Sequence, residues 1–301
     1  MDTLENLRRK LDGAKDIKSV VRAMKAMAAS NIVQYETAVS SLGDYYHTIA
    51  LGIAAYLIQQ KIYGVTEQPE TQRKDEKVIC AIVFGSDQGL VGRFNNLMTD
   101  FVNQSLRALP GKKEIWVIGE RVQLLLSDAG LTAAKSFPVP NAINAVTPLI
   151  GQILVEIEDR VEKGPDRVFY IFHNQPKPET GYGPVIQRLL PLDEKWLLEF
   201  SALRWPTKNI PGIVGKAKPV LRALIREYLF VSLFKACTES LASENESRLE
   251  AMQRADKNIG DLLDSISHKF HRLRQSSIDE ELFDVVSGFE ALKDNKKKQI
   301  T

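Results

Sequence analysis

Cysteine is almost absent from this chain. Its 301 residues hold two, Cys80 and Cys237, too few for a disulfide framework and without metal spacing, so a reducing compartment is expected. No basic-then-apolar leader opens the sequence, which begins Met-Asp-Thr-Leu-Glu, and a secretory signal is not expected. Long apolar runs are missing too. The longest, Ile49 to Ile58, is about half the ~20 residues of a membrane-spanning helix and reads as buried helix, so no transmembrane span is expected. Neither sign of charge dominates. With 40 basic and 38 acidic residues the net charge is +2, which by itself gives no argument for nucleic acid, and none is expected as a partner. The hydrophobic fraction of 44% suits a packed core and excludes general disorder.

Proline is missing from both ends. All 13 prolines lie from Pro69 to Pro219. Past Pro219 there are only two glycines, Gly260 and Gly288, and apolar residues recur at steps of three and four. The series runs Leu221, Leu224, Tyr228, Val231, then Leu241, Asn245, Leu249, Met252, Ile259, Leu262, Ile266, Phe270 and Leu273, and on through Ile278, Leu282, Val285 and Phe289. That is one face of an α-helix sustained past ten turns. At 1.5 Å per residue it would be roughly 110 Å long, too long for one globular core to bury, so it needs a partner helix or an external sleeve.

The N-terminal stretch has the same character. Leu4, Leu7, Leu11, Ala14, Ile17, Val21, Met24, Ala28, Ile32, Tyr35, Val39, Leu42, Tyr46, Ile49, Ile53 and Tyr56 step by three and four. Two irregular steps, Leu11–Ala14–Ile17 and Met24–Ala28–Ile32, read as a stammer and a stutter. Asp2 followed by Glu5 predicts a capping box with Asp2 as the cap.

Between the helices the period changes. Val78–Phe84, Glu114–Gly119 and Arg167–Phe172 are short apolar runs of the kind buried on both faces of a sheet. Helical patterns near 94–109, 120–129 and 145–162 alternate with them, which predicts a small α/β domain with a largely parallel sheet. The prolines and glycines of 174–184 read as turns, and Val185–Leu192 as a further strand at an edge. The expected architecture is α/β: a long antiparallel coiled coil of N- and C-terminal helices with an inserted small α/β domain. Its expected boundaries are 1–63 for the first helix, 64–216 for the insert, 217–293 for the second helix, and 294–301 for a polar tail. The basic bias of 1–25 (Arg8, Arg9, Lys10, Lys15, Lys18, Arg22, Lys25) and the acidic bias of 239–261 (Glu239, Glu244, Glu246, Glu250, Asp256, Asp261) favour this pairing. Because the second helix is the longer, its last turns lack a partner, yet they carry Ile278, Leu282, Phe283, Val285, Val286, Phe289 and Leu292. Such a surface predicts an interaction site.

Chemistry-bearing motifs are sparse. Gly85-Ser-Asp-Gln-Gly-Leu-Val-Gly92 follows a strand, but it matches neither phosphate-loop pattern and offers no lysine to a phosphate, so a structural tight turn is the default. His268 and His271 stand three apart without further ligands at useful spacing, and solvated or packing histidines are the expected reading. No catalytic residue, cofactor or metal site is expected. From the residues alone one reading is a small α/β phosphate-ligand enzyme dimerised through its terminal helices, with Gly85–Gly92 as its site; the overhanging apolar turns point instead to a helix that inserts into a collar of other subunits.

Three stretches resemble the gamma subunits of F-type ATP synthases. Arg22-Ala-Met24-Lys25 with Ala28-Ala29 is similar to the family's Lys-Ala-Met-Lys segment. Ser86-Asp87-Gln88-Gly89-Leu-Val-Gly92-Arg-Phe-Asn95 is similar to its Ser-Asp-Arg-Gly-Leu-Cys-Gly-x-x-Asn loop. Glu239-Ser-Leu-Ala-Ser-Glu244 leads to Ile278-x-x-Glu281-x-x-Asp284-x-x-x-Gly288, close to the C-terminal signature Ile-Thr-x-Glu-x-x-Glu-x-x-x-Gly-Ala. Gln88, Val91, Asp279 and Phe289 depart from these patterns, which implies a divergent branch such as an alternative ion-translocating F-type ATPase. The resemblance implies a non-catalytic rotor shaft. Its partners would be the alpha and beta subunits of a catalytic hexamer, an epsilon subunit and a membrane ring of c subunits. Its place would be peripheral, on the cytoplasmic face of the inner (plasma) membrane. It implies contacts with the hexamer at Arg8, Arg9, Lys18, Arg22, Met24, Lys25, Ile278, Glu281, Leu282, Val285 and Phe289, and an insert loop at Ser86, Asp87, Gln88, Gly89 and Gly92.

Overall fold

The computed structural model describes residues 3–63, 78–162, 164, 167–177, 181–192, 198, 200–203, 205–209, 212 and 216–298, with side chains left aside at 60–63, 217 and 289–298. The elements run α1 (Leu4–Tyr63), β1 (Val78–Phe84), α2 (Phe94–Ala108), β2 (Lys112–Ile118), α3 (Glu120–Asp128), β3 (Ala133–Phe137), α4 (Ile143–Glu162), β4 (Arg167–Lys177), β5 (Gly181–Leu190) and α5 (Ala217–Lys298). They form two compact units, Met1–Met27 with Ala251–Thr301, and Ala28–Glu250. The division cuts through both long helices.

In the larger unit the sheet order is β3-β2-β1-β4-β5, parallel except for β5, which runs antiparallel at the edge. Strand β1 sits in the middle and is buried on both faces, as its unbroken apolar run requires. Its residues alternate between two cores. Ile79, Ala81 and Val83 pack with Met98 and Val102 of α2 and Val122 and Leu126 of α3. Cys80, Ile82 and Phe84 pack with Ile150, Ile153 and Ile157 of α4, Ile49 and Ile53 of α1, and Tyr228 and Leu233 of α5. Helices thus cover both faces of the sheet, and the long helices supply part of one layer.

Several local expectations are corrected. Strand β3, with the sequence Ala-Ala-Lys-Ser-Phe, has no apolar run to mark it; it is a short edge strand of alternating exposure. The predicted turns at 174–177 and 181–184 belong to β4 and β5. Proline is tolerated there because β1 stops pairing at Phe172, so the residues of β4 beyond it have a free edge, and β5 is itself an edge strand. The cap of α1 is Thr3, whose hydroxyl accepts from Asn6 N–H at 3.3 Å; Asp2 lies outside the described residues, and Glu5 pairs forward with Arg9 at 2.8 Å instead of reaching back. The charged run Gln72–Lys77, whose sequence reads as a surface loop, lies outside the described residues, and the stretch Trp196–Trp205, whose sequence pattern is ambiguous, lies partly outside them. Helix α5 continues to Lys298, past the boundary predicted at 293, because nothing after Gly288 breaks it.

Glu114 of β2 ties three elements together. It accepts from Arg167 of β4 at 2.7 Å, pairs with Arg160 of α4 at 3.1 Å, and accepts from the Trp116 indole at 3.1 Å. Burial alone would push its carboxyl up. The hydrogen bonds from Trp116 and Arg167, with the charges of Arg160 and Arg167, outweigh that and hold it below the usual glutamate value. A depressed native value means that the pair's stabilisation is present above the ordinary glutamate pKa and disappears as pH falls through the depressed one. Glu114→Gln is therefore expected to lower stability by roughly 1–3 kcal/mol at pH 7, with the deficit shrinking below about pH 4. Urea unfolding across that range measures it, and a deficit independent of pH would contradict the assignment.

Candidate functional site

Helices α1 and α5 pair antiparallel in each unit. In the larger unit Asn31 meets Asn245 at 3.3 Å, Tyr45 donates to Glu227 at 2.6 Å, and Gly52 lies under the Leu224 side chain. In the smaller unit Arg22 meets Asp256 at 3.5 Å, and the Lys18 ammonium lies over Gly260. The buried positions of α1 keep a strict step of seven: Leu7, Ala14, Val21, Ala28, Tyr35, then half-buried Leu42, then Ile49 and Tyr56. A second row completes the seam: Leu4, Leu11, Lys18, Lys25, Ile32, Val39, Tyr46 and Ile53, all half-buried or buried. This corrects the expected stammer and stutter. Ile17 is 57% exposed, and Lys18 and Lys25 take the seam positions that the apolar reading gave to Ile17 and Met24. A lysine stem is apolar and can fill a seam position beneath its ammonium group, so an unbroken heptad is hidden from a purely apolar count.

Facing pairs in the smaller unit total 278, so Leu4, the first helical residue, faces position 274. The seam residues of α5, Ile259, Leu263, Ile266 and Phe270, follow α1 to that point, and the half-buried Ser277 is the last of the same phase, just past it. Beyond it the apolar phase jumps to Ile278, Leu282 and Val285. These are exposed, as are Val286 and Phe283 at 76%. The phase change coincides with the end of α1, so these turns are not a continuation of the same seam. Glu281 is exposed among them, and the Phe289 side chain lies outside the described residues. Of the basic residues, Arg8 is exposed, Arg9 pairs with Glu5, Arg22 with Asp256, and Lys25 is half-buried, as is the neighbouring Met24.

The insert loop is fastened to its own domain. Ser86 N–H donates to Asn95 Oδ1 at 3.0 Å, and the Asn95 amide donates back to Ser86 Oγ at 2.8 Å. Ser86 Oγ donates to the Gln88 carbonyl. Asp87 uses both carboxylate oxygens on backbone: Oδ1 accepts from Glu120 N–H at 2.9 Å, capping α3, and Oδ2 accepts from Val139 N–H at 3.0 Å. Gly92 has φ +53° and Leu90 φ +62°; a left-handed leucine costs about 1–2 kcal/mol. Gly89 has open space around it.

The acidic run of α5 behaves differently from its expected role. Glu239 and Glu244 are buried in the larger unit, not spread on a surface facing basic residues. Glu239 accepts from Gln175 of β4 at 3.3 Å and lies 2.9 Å from His173 Nε2. Glu244 binds Arg248 at 2.6 Å, and burial pushes its carboxyl up against the pull of that arginine. A cavity of about 180 Å³ opens beside Glu239, lined also by His173, Gln175, Gln187 and Lys235. The signal for this region was present in the sequence: ten polar-rich residues, Thr238–Ser247, in mid-helix with no apolar stripe wide enough to explain their position.

A family model described as ATP synthase matches residues 3–292. The chain belongs to the ATP synthase gamma-chain family. It is 27% identical over 322 residues to the ATP synthase gamma chain of a Synechocystis species, covering 97% of this chain and all of that one. It is 24% identical over 303 residues to that of a Sulfurihydrogenibium species, covering 96% and 98%. Among solved structures it resembles a chain of the Euglena gracilis mitochondrial ATP synthase OSCP/F1/c-ring assembly, with TM-score 0.65, 16% identity and coverage of 98% and 96%. A chain of the Tetrahymena thermophila central stalk/c-ring structure matches with TM-score 0.56 at 19% identity, covering 78% and 99%. These likenesses confirm two long terminal helices with a mostly parallel sheet between them as the gamma-chain fold. Among the described residues no helix is long and apolar enough to cross a membrane, and no group of three or more metal-ligating side chains occurs.

Asp87 is the structural centre of the loop. Asp87→Ala should cost roughly 1–2 kcal/mol, the loss of a helix cap with its second tie. Hydrogen exchange should accelerate at Glu120 and Val139 N–H together; protection unchanged at both would remove Asp87 from this role.

Proposed function

We propose that this chain is the central rotor shaft of an F-type ATP synthase or ATPase. It couples ion flow through a membrane ring of c subunits to ATP synthesis or hydrolysis in an alpha/beta hexamer. The observation that carries this reading is the set of exposed apolar turns at Ile278, Leu282, Phe283, Val285 and Val286, beyond the end of α1 and out of phase with the helix pair. Water is a poor neighbour for such a surface, and a surrounding sleeve of other subunits covers it. Membership of the gamma-chain family supports that partner. The α/β domain, held against an epsilon subunit and the ring, receives the torque, and the chain works peripherally at the cytoplasmic face of the membrane.

The shaft has no chemistry of its own in this reading: ATP is made and cleaved in the hexamer. The Ser86–Gly92 loop supports that, since its Asp87 carboxylate and Ser86 hydroxyl bind the chain's own backbone and leave no cradle for a phosphate. Arg8, Arg9, Lys18, Arg22, Met24, Lys25, Glu281 and Phe289 are the remaining contacts proposed with the hexamer.

Truncation after Ser277 tests the bearing. The α/β domain lies entirely before the cut, so it should fold and the chain should join the complex. ATP-driven ion pumping per ATP hydrolysed should fall by at least tenfold. Full coupled activity in the truncated form would exclude the tip as a bearing. Failure of the intact chain to co-purify with alpha and beta subunits from native membranes would exclude the rotor reading itself.

A further inference from the structure

We propose that Glu239, Ser243 and Ser247 form a polar key that fixes the rotational position of α5 in the α/β domain, so that torque crosses this joint without slip. The torque half of this rests on the rotor reading; the key itself does not. The three residues step by four, so they lie along one ridge of the helix. Two of them engage β4 and the third the loop after β1. Glu239 meets His173 and Gln175 of β4 through side chains. Ser243 donates to the Asn174 carbonyl of β4 at 3.2 Å. Ser247 donates to the Val91 carbonyl in the loop after β1 at 2.6 Å. A serine has one proton, so the 2.9 Å contact between Ser247 and the Tyr182 hydroxyl of β5 has tyrosine as donor.

All three residues are buried, where apolar side chains would be the ordinary choice for a helix packed on a sheet. Apolar burial is itself non-directional, and only the interdigitation of side chains resists rotation of a helix held by it alone. Hydrogen bonds confine both distance and angle. Rotation of α5 by one ridge would break all three at once and leave the Glu239 carboxylate buried without its partners, the most costly arrangement for such a group. Two serines on the same stretch provide an internal contrast. Ser232 and Ser240 are also buried, but their hydroxyls have no partner among the described residues, so small polar character alone does not account for the ridge.

The test uses the full chain with spin labels at Arg222→Cys on α5 and Leu124→Cys on α3, both exposed; native Cys80 and Cys237 are buried. The distance distribution should be narrow in the parent and in Ser240→Ala. It should broaden at least twofold in Ser243→Ala/Ser247→Ala, and by less in Ser243→Ala alone, which guards against a double variant that fails to fold. Equal widths in all four overturn the key. In the assembled complex the double variant should hydrolyse ATP within twofold of the parent while pumping severalfold fewer ions per ATP. Unchanged pumping with a broadened distribution overturns the transmission of torque through this joint. A parent chain that shows the narrow distribution but drives no pumping would leave the key standing and remove the rotor reading.

Discussion

Helices of 60 and 82 residues each carry a long apolar face that must be covered, and the structure follows from how they cover each other. In each unit they run antiparallel, and on α1 the contact follows a heptad without interruption from Leu4 to Tyr56. Small residues at Ala14 and Ala28 alternate with larger ones at Leu7, Val21 and Tyr35. This alternation of size along the buried row favours one register of the pair over others. The ion pair Arg22–Asp256 is exposed on its arginine side and adds little beyond register, since such pairs are worth about 0–1 kcal/mol.

Within the larger unit, α5 changes character. From Tyr228 to Ser247 it is buried almost all round, with the sheet on one side and α1 on another. A helix so enclosed is usually apolar throughout. This one is polar along the ridge that meets β4 and the Val91 loop, and polar again where Asn245 meets Asn31. Polar burial is costly unless satisfied, and its return is directionality. The smaller unit shows the reverse, an apolar surface left in water at Ile278–Val286. Both departures from the ordinary pattern lie on the same helix, and both suit an element that must grip one body and turn inside another.

Much of the fold was legible because it rests on periodicity. Both long helices, three buried strands and the three intervening helices follow from the step of apolar residues, which local backbone geometry imposes. Strand β3 was not legible, since a five-residue edge strand carries too little apolar pattern. The strands through Pro176 and Pro184 were not legible either, because proline is acceptable only at an unpaired edge, and edges are a property of the assembled sheet. Lysines in the seam escaped a count that treats lysine as solvent-facing. The loop at Ser86–Gly92 was visible as a motif, but the two backbone partners of Asp87 come from 33 and 52 residues away.

The amino-acid sequence by itself determined the helices, their need for a partner, the α/β insert between them and the apolar turns after Ser277, since all of these are set by local spacing along the chain. Only the tertiary structure decided that Lys18 and Lys25 share the seam, that Glu239 and Glu244 are buried, and that Glu239, Ser243 and Ser247 meet the sheet along one ridge. Those outcomes depend on which distant groups arrive opposite a side chain, and a polar residue reads the same in sequence whether water or a buried partner satisfies it.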